Sequence, residues 1–303
     1  MSKTNRTNQP RESRYVRVAR VAYRLSKQTM PTYSHPKSPH HFTLPQLASC
    51  VLMAFYMDLS YRDMEEWLLA SSEVREVLQL QRVPDHSTLS RTYKKMRVKD
   101  FDKMKNLLLS EMGIEGSESI IALDTTGFDL TGASAYYRTR RGYTFRWYIK
   151  GGYSVGTQSQ FILGWLTGRG PTNDTGYLAG LRRQGSKYGR YRGVGCGRRR
   201  DWLLVADAGF DSRRVEEMDI VPPIRRGAGP GGRGPTKVVA PERRARAELV
   251  WQARLDGVYG QRWKAETVNS VIKRRFGSAV RSRKLSLQKR EAVIKAMVYN
   301  IHV

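Results

Sequence analysis

The spacing of apolar residues changes near Gly116, and this change limits the possible folds more than any other feature. Between Thr43 and about Met112, apolar residues recur every three or four positions, as on the buried face of a helix. Beyond Gly116, short apolar runs are separated by turn residues, as in buried strands. We therefore predict an all-α part of helix-turn-helix type, followed by a mixed α/β part.

Three segments are predicted along the 303 residues. Residues 1–40 form a basic arm, residues 41–116 a helical domain, and residues 117–303 an α/β domain. Four arginines of the arm recur at helical spacing: Arg14, Arg17, Arg20 and Arg24. A basic helix and a flexible tail both fit this segment, so the two alternatives stay open for the arm.

The charge of the chain narrows the class of partner. It has 54 Lys and Arg against 27 Asp and Glu, a formal net charge of +27, which indicates a nucleic-acid partner. A membrane surface is the rival partner, but the longest apolar stretch, residues 47–57, is shorter than the ~20 residues that span a bilayer. With neither an apolar leader segment nor a CxxC pair, we expect a cytoplasmic protein.

Two basic segments are candidates for contact with DNA. The first is a helix predicted after VPDHS, and its exposed cations would be Arg91, Lys94 and Lys95. A helical bundle with a solvated basic face explains the same pattern. The second is the segment 182–200, where Lys and Arg alternate with Gly and with Tyr188 and Tyr191. Phosphate contact with base stacking and a solvated loop are its two interpretations.

Two apolar runs of the α/β part each end in an aspartate. Asp124 follows IIAL and Asp207 follows WLLVA, and small residues come directly after both. Such runs predict central strands, and a carboxylate is expected at the end of each strand, where desolvation is least costly. One such aspartate would be an ordinary turn cap. Two in one domain indicate a shared site for divalent metal ions.

A third carboxylate lies in the basic segment YGQRWKAETVNSVIKRRFG. If the long helical tract that begins near Pro241 continues through it, four side chains fall within an arc of roughly 60° at ~100° per residue. They are Tyr259, Arg262, Glu266 and Lys273. Ala265, Val268, Val271 and Ile272 lie on the opposite, buried side. Glu266 can then be a third metal ligand, or simply an i,i+4 partner of Arg262 that contributes about 0.3 kcal/mol.

These residues carry a resemblance to a known family. The spacing Tyr259-x2-Arg262-x3-Glu266-x6-Lys273 is similar to the Tyr-Arg-Glu-Lys signature of DDE insertion-sequence transposases. VPDHSTLSR, IALDTT and VADAGFDS resemble the insertion sequence five family within that group. The similarity extends from about Phe42 to the C-terminus.

The resemblance implies a fold, a site and a reaction. The fold is ribonuclease-H-like, and Asp124, Asp207 and Glu266 are the catalytic triad that binds two Mg²⁺ or Mn²⁺ ions. Tyr259, Arg262 and Lys273 contact phosphates of double-stranded DNA near the cleaved end. The expected reaction is cleavage and strand transfer at terminal inverted repeats, by a two-metal-ion polynucleotidyl transferase. We expect a homodimer in the active complex and a prokaryotic, nucleoid-associated location.

Two other functions are compatible with the same features. A non-catalytic DNA-binding protein, such as a domesticated transposase, would use the helical part alone. A ribonuclease-H-type nuclease would hydrolyse DNA without strand transfer. The intact set of three acids counts against the first, and a preference for particular DNA ends would separate a transposase from the second.

Overall fold

The computed structural model describes residues 12–33, 35, 37, 40–131, 140, 147–192, 199–211, 220–221 and 241–303. The chain divides into two compact units, Met1–Met96 and Arg97–Val303. None of the described helices is long and apolar enough to cross a membrane.

The first unit is all-α in its described part. Its helices are α1 (Arg14–Thr29), α2 (Leu44–Tyr56), α3 (Tyr61–Ala70), α4 (Ser72–Val77) and α5 (His86–Lys95). Side chains cap the beginnings of four of them. Ser13 accepts a hydrogen bond from the Tyr15 amide at the start of α1, and Asp85 accepts one from the Thr88 amide at the start of α5. Thr43 and Ser60 form capping boxes at the starts of α2 and α3. The helical period predicted from Thr43 onward is confirmed in these elements.

The predicted basic arm contains one of these packed helices. Helix α1 buries Val16, Ala19, Ala22 and Leu25 and packs against α2 and α4. Of the two alternatives for the arm, the helix therefore holds for Arg14–Thr29, while residues 1–11 lie outside the described residues. The charged face of α1 remains exposed because its apolar residues recur at helical spacing.

The second unit begins with helix α6 (Val98–Glu111), ahead of the predicted domain boundary at residue 116. The unit continues with these elements: β1 (Ile120–Leu130), β2 (Tyr148–Gly156), β3 (Ile162–Gly170), α7 (Thr175–Gly185), β4 (Tyr191–Arg192), β5 (Arg199–Arg200), β6 (Leu203–Val205), β7 (Ile220–Val221), α8 (Pro241–Leu255), α9 (Trp263–Phe276), β8 (Ala279–Val280) and α10 (Leu285–His302). Helix α6 packs against α10, which explains why it belongs to this unit.

One mixed sheet organises the second unit. Its strand order is β3-β2-β1-β6-β7, and β8 pairs with the far end of β1. Strands β1, β2 and β3 are antiparallel neighbours, whereas β6 and β7 run parallel to β1. Strand β7 lies at one end of this strand order. The mixed α/β class predicted for this part of the chain is confirmed.

Helices cover both faces of this sheet. Tyr177 of α7 lies against Gly152 of β2, where an added Cβ would come within 2.7 Å of its ring. On the opposite face, the Tyr153 hydroxyl donates a hydrogen bond to the Ala292 carbonyl of α10. Because successive side chains of a strand point to opposite faces, neighbouring residues of β1 face different helices. This alternation positions the residues of the site described next.

Candidate active site

Parallel pairing between β1 and β6 brings two aspartates to the same place in the sheet. Ala122 lies opposite Val205, so Asp124 and Asp207 each come two residues beyond the last registered pair. Strand β6 ends at Val205, but β1 continues to Leu130 because its antiparallel partner β2 continues beside it. The expectation that Asp124 ends its strand is therefore wrong. It lies inside β1, at the point where the parallel neighbour stops.

Asp124 is held by two hydrogen bonds and is largely buried. The Asn269 side-chain amide donates to Oδ2 at 2.8 Å, and the Thr125 amide donates to Oδ1 at 2.9 Å. Burial raises the pKa of Asp124 to about 6, the two hydrogen bonds lower it, and the negative charges of Asp207 and Glu266 raise it. The charges of the two other predicted acids thus both reach Asp124.

Asp207 begins a short 3-10 helix, Ala208–Phe210, by accepting a hydrogen bond from the Gly209 amide at 2.8 Å. The backbone at Gly209 is crowded by carboxylates. A Cβ added there would lie 2.8 Å from Oδ1 of Asp207 and 2.5 Å from Oδ2 of Asp174. The small residue after the second aspartate therefore has a steric reason, since a side chain would displace the acids.

Glu266 lies in the first turn of α9, but the helical tract leading to it is broken. Helix α8 ends at Leu255, Gly257 has a φ of +69°, and Tyr259–Arg262 form a separate 3-10 helix. The single continuous helix predicted from Pro241 is therefore wrong, because the chain turns at a glycine in the left-handed region. Even so, Arg262 and Glu266 form an ion pair of 2.6 Å.

The signature side chains lie close to the acids at this turn. Burial lowers the pKa of the Arg262 guanidinium, but the charges of Glu266, Tyr259 and Asp124 outweigh burial and raise it. Burial raises the pKa of the Tyr259 hydroxyl, and the charge of Asp207 raises it further, against the cations Arg262 and Arg254. Lys273 lies farther along α9 and is half-buried.

The opposite side of α9 packs against the sheet, as predicted for most of its residues. Ala265, Val268 and Ile272 are fully buried, while Val271 is only half-buried. The polar residue Asn269 is also buried, with 6% exposure, and it was missed from the sequence. Its spacing of three residues from Glu266, which places the two on neighbouring positions of one helix, was the available signal.

The family comparison agrees with this geometry. A family model described as "Transposase DDE domain" matches residues 115–301, more than half of the chain. The chain belongs to this transposase family. A search of the curated proteins found no match.

The three acids of the transposase domain suit hard divalent cations by their chemistry. Carboxylate oxygens are the ligands that Mg²⁺ and Mn²⁺ prefer, and Asp124, Asp207 and Glu266 supply them. The buried Oδ1 of Asn269 has no hydrogen-bond partner among the described residues, so a bound hydrated ion would give it one. Within the described ranges, no group of three or more His, Cys, Asp or Glu is arranged tightly enough to hold a metal. Oε1 of Glu266 is engaged in the ion pair with Arg262.

The predicted DNA-binding cations of the transposase have different surroundings. Arg91, Lys94 and Lys95 are exposed on α5 in the first unit, and the Arg91 guanidinium donates to the Ser87 hydroxyl at 2.9 Å. In the segment 182–200, residues 193–198 lie outside the described residues. Tyr188 is buried and its hydroxyl donates to Asn106 at 3.1 Å, so the stacking role expected for it is wrong.

Proposed function

We propose that this protein is a transposase of the insertion sequence five family. It binds the terminal inverted repeats of its element and catalyses metal-dependent cleavage and strand transfer of double-stranded DNA. The observation that carries this proposal is that Asp207 and Glu266 both lie close enough to Asp124 to raise its pKa, in a domain of the DDE family. A purely structural Arg262–Glu266 pair would not require the charge of the glutamate to reach Asp124.

Asp124, Asp207 and Glu266 are the residues that would hold two Mg²⁺ or Mn²⁺ ions. Bound there, such ions supply an activated water or DNA 3′-hydroxyl and stabilise the leaving 3′ oxygen. Asn269 and the Thr125 amide keep the Asp124 carboxylate oriented towards the same site. With a pKa of about 6, Asp124 is ionised at neutral pH and available as a ligand.

The cationic side chains of the signature offset the phosphates of the DNA end. Arg262 now neutralises Glu266, and in the active complex it would exchange this carboxylate for a phosphate. Tyr259 lies beside Arg262 and would contact the same phosphate backbone of the DNA, while Lys273 would contribute a charge farther along α9. Arg262 would thereby couple the release of Glu266 to the binding of DNA.

The helical unit supplies the second DNA contact. Exposed Arg91, Lys94 and Lys95 on α5 would bind the terminal repeat, and the net charge of +27 supports binding to a polyanion. Cleaving and joining two element ends calls for two active sites, so we propose a homodimer in the active complex. A nucleoid-associated location in the cytoplasm would follow from these contacts.

The test uses a duplex that carries the inverted repeats flanking the gene, incubated with Mg²⁺ or Mn²⁺. Wild-type protein should cleave at the repeat end and join the 3′ end to a second duplex. Glu266→Gln should fold, bind the duplex in a gel shift and lose cleavage. Glu248→Gln, which changes an exposed glutamate of α8, is the matched control and should cleave normally.

Other outcomes identify the alternatives. Cleavage without joining, and without preference for the repeat, would indicate a ribonuclease-H-type nuclease. Binding of the repeat without cleavage by the wild type in either metal would indicate a DNA-binding protein. Near-normal cleavage by folded Glu266→Gln would reduce Glu266 to a structural partner of Arg262.

A further inference from the structure

A third aspartate, Asp174, lies beside the two predicted aspartates although its sequence position indicates a different role. Asp174 directly precedes α7, where an aspartate usually caps the helix and stabilises it by about 1 kcal/mol. Within the described part of the chain, its side chain makes no capping hydrogen bond. The carboxylate is instead engaged by residues of the sheet.

One oxygen of Asp174 binds two residues on β1 and β2. Oδ1 accepts a hydrogen bond from the Thr125 hydroxyl at 2.6 Å and forms an ion pair with the Lys150 ammonium at 2.5 Å. Lys150 is 7% exposed and also donates to the Thr172 carbonyl. Burying an unpaired ammonium group is costly, and the carboxylate of Asp174 offsets this cost. The ion pair is therefore part of the folded structure.

The other oxygen of Asp174 faces the loop of the second catalytic acid. Oδ2 of Asp174 and Oδ1 of Asp207 both press against Gly209, at 2.5 Å and 2.8 Å from the place a Cβ would occupy. Asp174 therefore touches the neighbour of Asp124 on one side and the loop of Asp207 on the other. Two carboxylates beside one glycine repel each other unless cations offset their charge.

We propose that Asp174, with Lys150 as its counter-ion, is a positioning residue that sets the spacing and the affinity for divalent cations of the Asp124–Asp207 pair. The proposal rests on the proposed function. The hydrogen bond from Thr125 connects Asp174 to β1, and the contact at Gly209 connects Asp174 to the Asp207 loop. Lys150 neutralises the charge of Asp174, so that the negative charge available to a cation is that of the other acids.

Removing the charge of Asp174 and removing the charge of Lys150 should have opposite effects on the affinity for Mn²⁺. Asp174→Asn keeps the shape and an acceptor for Thr125, but it leaves the Lys150 cation uncompensated beside the acids. Mn²⁺ should then bind about tenfold more weakly. Lys150→Gln leaves an uncompensated carboxylate, so Mn²⁺ should bind at least as tightly as to the wild type, although the folded state loses stability.

The measurement is isothermal calorimetry of Mn²⁺ binding to the full-length chain, after circular dichroism has verified folding. Asp129→Asn changes an exposed acid of β1, the strand that carries Asp124 and Thr125. It is the control and should bind Mn²⁺ like the wild type. If either single variant does not fold, Lys150→Gln/Asp174→Asn removes both charges and should fold and bind within about threefold of the wild type. A double variant that binds as weakly as expected for Asp174→Asn alone would overturn the proposal.

Three further results would overturn the inference: unchanged Mn²⁺ affinity in Asp174→Asn, equal weakening in both single variants, or a wild type that binds no Mn²⁺. Cleavage of the repeat duplex is followed separately. Higher Mn²⁺ concentrations should restore cleavage by Asp174→Asn, which a merely damaged fold would not allow. A wild type that binds Mn²⁺ without cleaving, alongside the expected affinity shifts, would reject the proposed function and keep the inference.

Discussion

The side-chain amide of Asn269 donates a hydrogen bond of 2.8 Å to the carboxylate of Asp124, across 145 positions of sequence. The bond ties α9 to β1 one helical turn beyond Glu266. Because Asn269 is buried and α9 packs on β1, the bond fixes both the helix that carries the glutamate and the rotamer of the aspartate. A polar residue on the buried face of α9 thus serves the acids rather than the apolar core.

Replacing Asn269 by Ala should impair the site more than the fold. The unpaired Asp124 oxygen should lower the free energy of unfolding by about 1–3 kcal/mol, and cleavage of the repeat duplex should fall at least about tenfold. Urea unfolding and single-turnover cleavage measure the two effects. Ser270→Ala, an exposed neighbour on α9, is the control; equal behaviour of the two variants would contradict the role of Asn269.

The raised pKa of Asp124 predicts how stability depends on pH in the absence of metal. The folded state holds this proton up to a pKa of about 6, whereas the ordinary value is 3.8. Between these two pH values the folded state binds more protons than the unfolded state, so Asp124 makes stability fall as pH rises. Urea unfolding in EDTA from pH 4 to 7 should show this loss in the wild type. In Asp124→Asn the free energy of unfolding should lack the part of this loss that Asp124 causes. Parallel pH profiles for the two proteins would contradict the raised pKa of Asp124.

Divalent cations should reverse this trend, because they bind the ionised carboxylate. Mn²⁺ affinity should fall as pH drops through about 6, where Asp124 takes up its proton. Calorimetry at pH 5.0 and 7.0 measures the change, with Asp129→Asn as a control that keeps it. An affinity independent of pH over this interval would mean that Asp124 is not a ligand.

Gly209→Ala should disturb both carboxylates that press against this glycine. The new methyl group would lie 2.5 Å from Asp174 and 2.8 Å from Asp207, so the loop must move. We expect a loss of about 1–3 kcal/mol in the free energy of unfolding and weaker Mn²⁺ binding. Gly176→Ala in α7 is the matched control. Apart from the adjacent backbone of α7, no heavy atom of the described residues lies within 4 Å of its Cβ position. Helix propensity should increase the stability of this variant by about 0.5–1 kcal/mol. Similar losses in both variants would rule out a specific clash.

Lys94→Gln/Lys95→Gln should weaken binding of the full-length protein to the repeat duplex. Each lost phosphate contact should reduce the slope of log affinity against log salt by about one, and Arg91→Gln should add to the effect. Fluorescence anisotropy at several salt concentrations measures the slope. Lys99→Gln/Lys103→Gln removes two exposed charges from α6 and controls for net charge. The same slope in both double variants would show that α5 has no special contact with DNA.

Local patterns were sufficient to predict many of the elements. Caps at Thr43, Ser60 and Asp85 mark the beginnings of helices in the predicted helical part, and the short apolar runs predicted as strands beyond Gly116 include β2 and β3. These features depend on residues a few positions apart, so their physical cause is contained in short segments. The apolar runs before Asp124 and Asp207 likewise predicted the two strands that place these acids side by side.

Other predictions failed where a local pattern meets a distant neighbour. The apolar run predicted that β1 ends at Asp124, but β1 continues beyond it. The length of the neighbouring strand β2 decides where β1 stops. Tyr188 occurs in a basic, glycine-rich segment, but packing buries it and pairs it with Asn106. The turn at Gly257 interrupts a helical period that would otherwise continue.

The sequence by itself determined which carboxylates and cations are available and which segments become strands and helices, since burial periodicity is a local property. Only the tertiary structure decided that Asn269 holds Asp124 and that Asp174 turns from its helix towards Lys150 and Thr125. Thr125 and Asp174 are 49 positions apart. Contacts over such separations form only when the sheet and its covering helices close, because the free energy of burying a charge depends on the partner that packing brings to it.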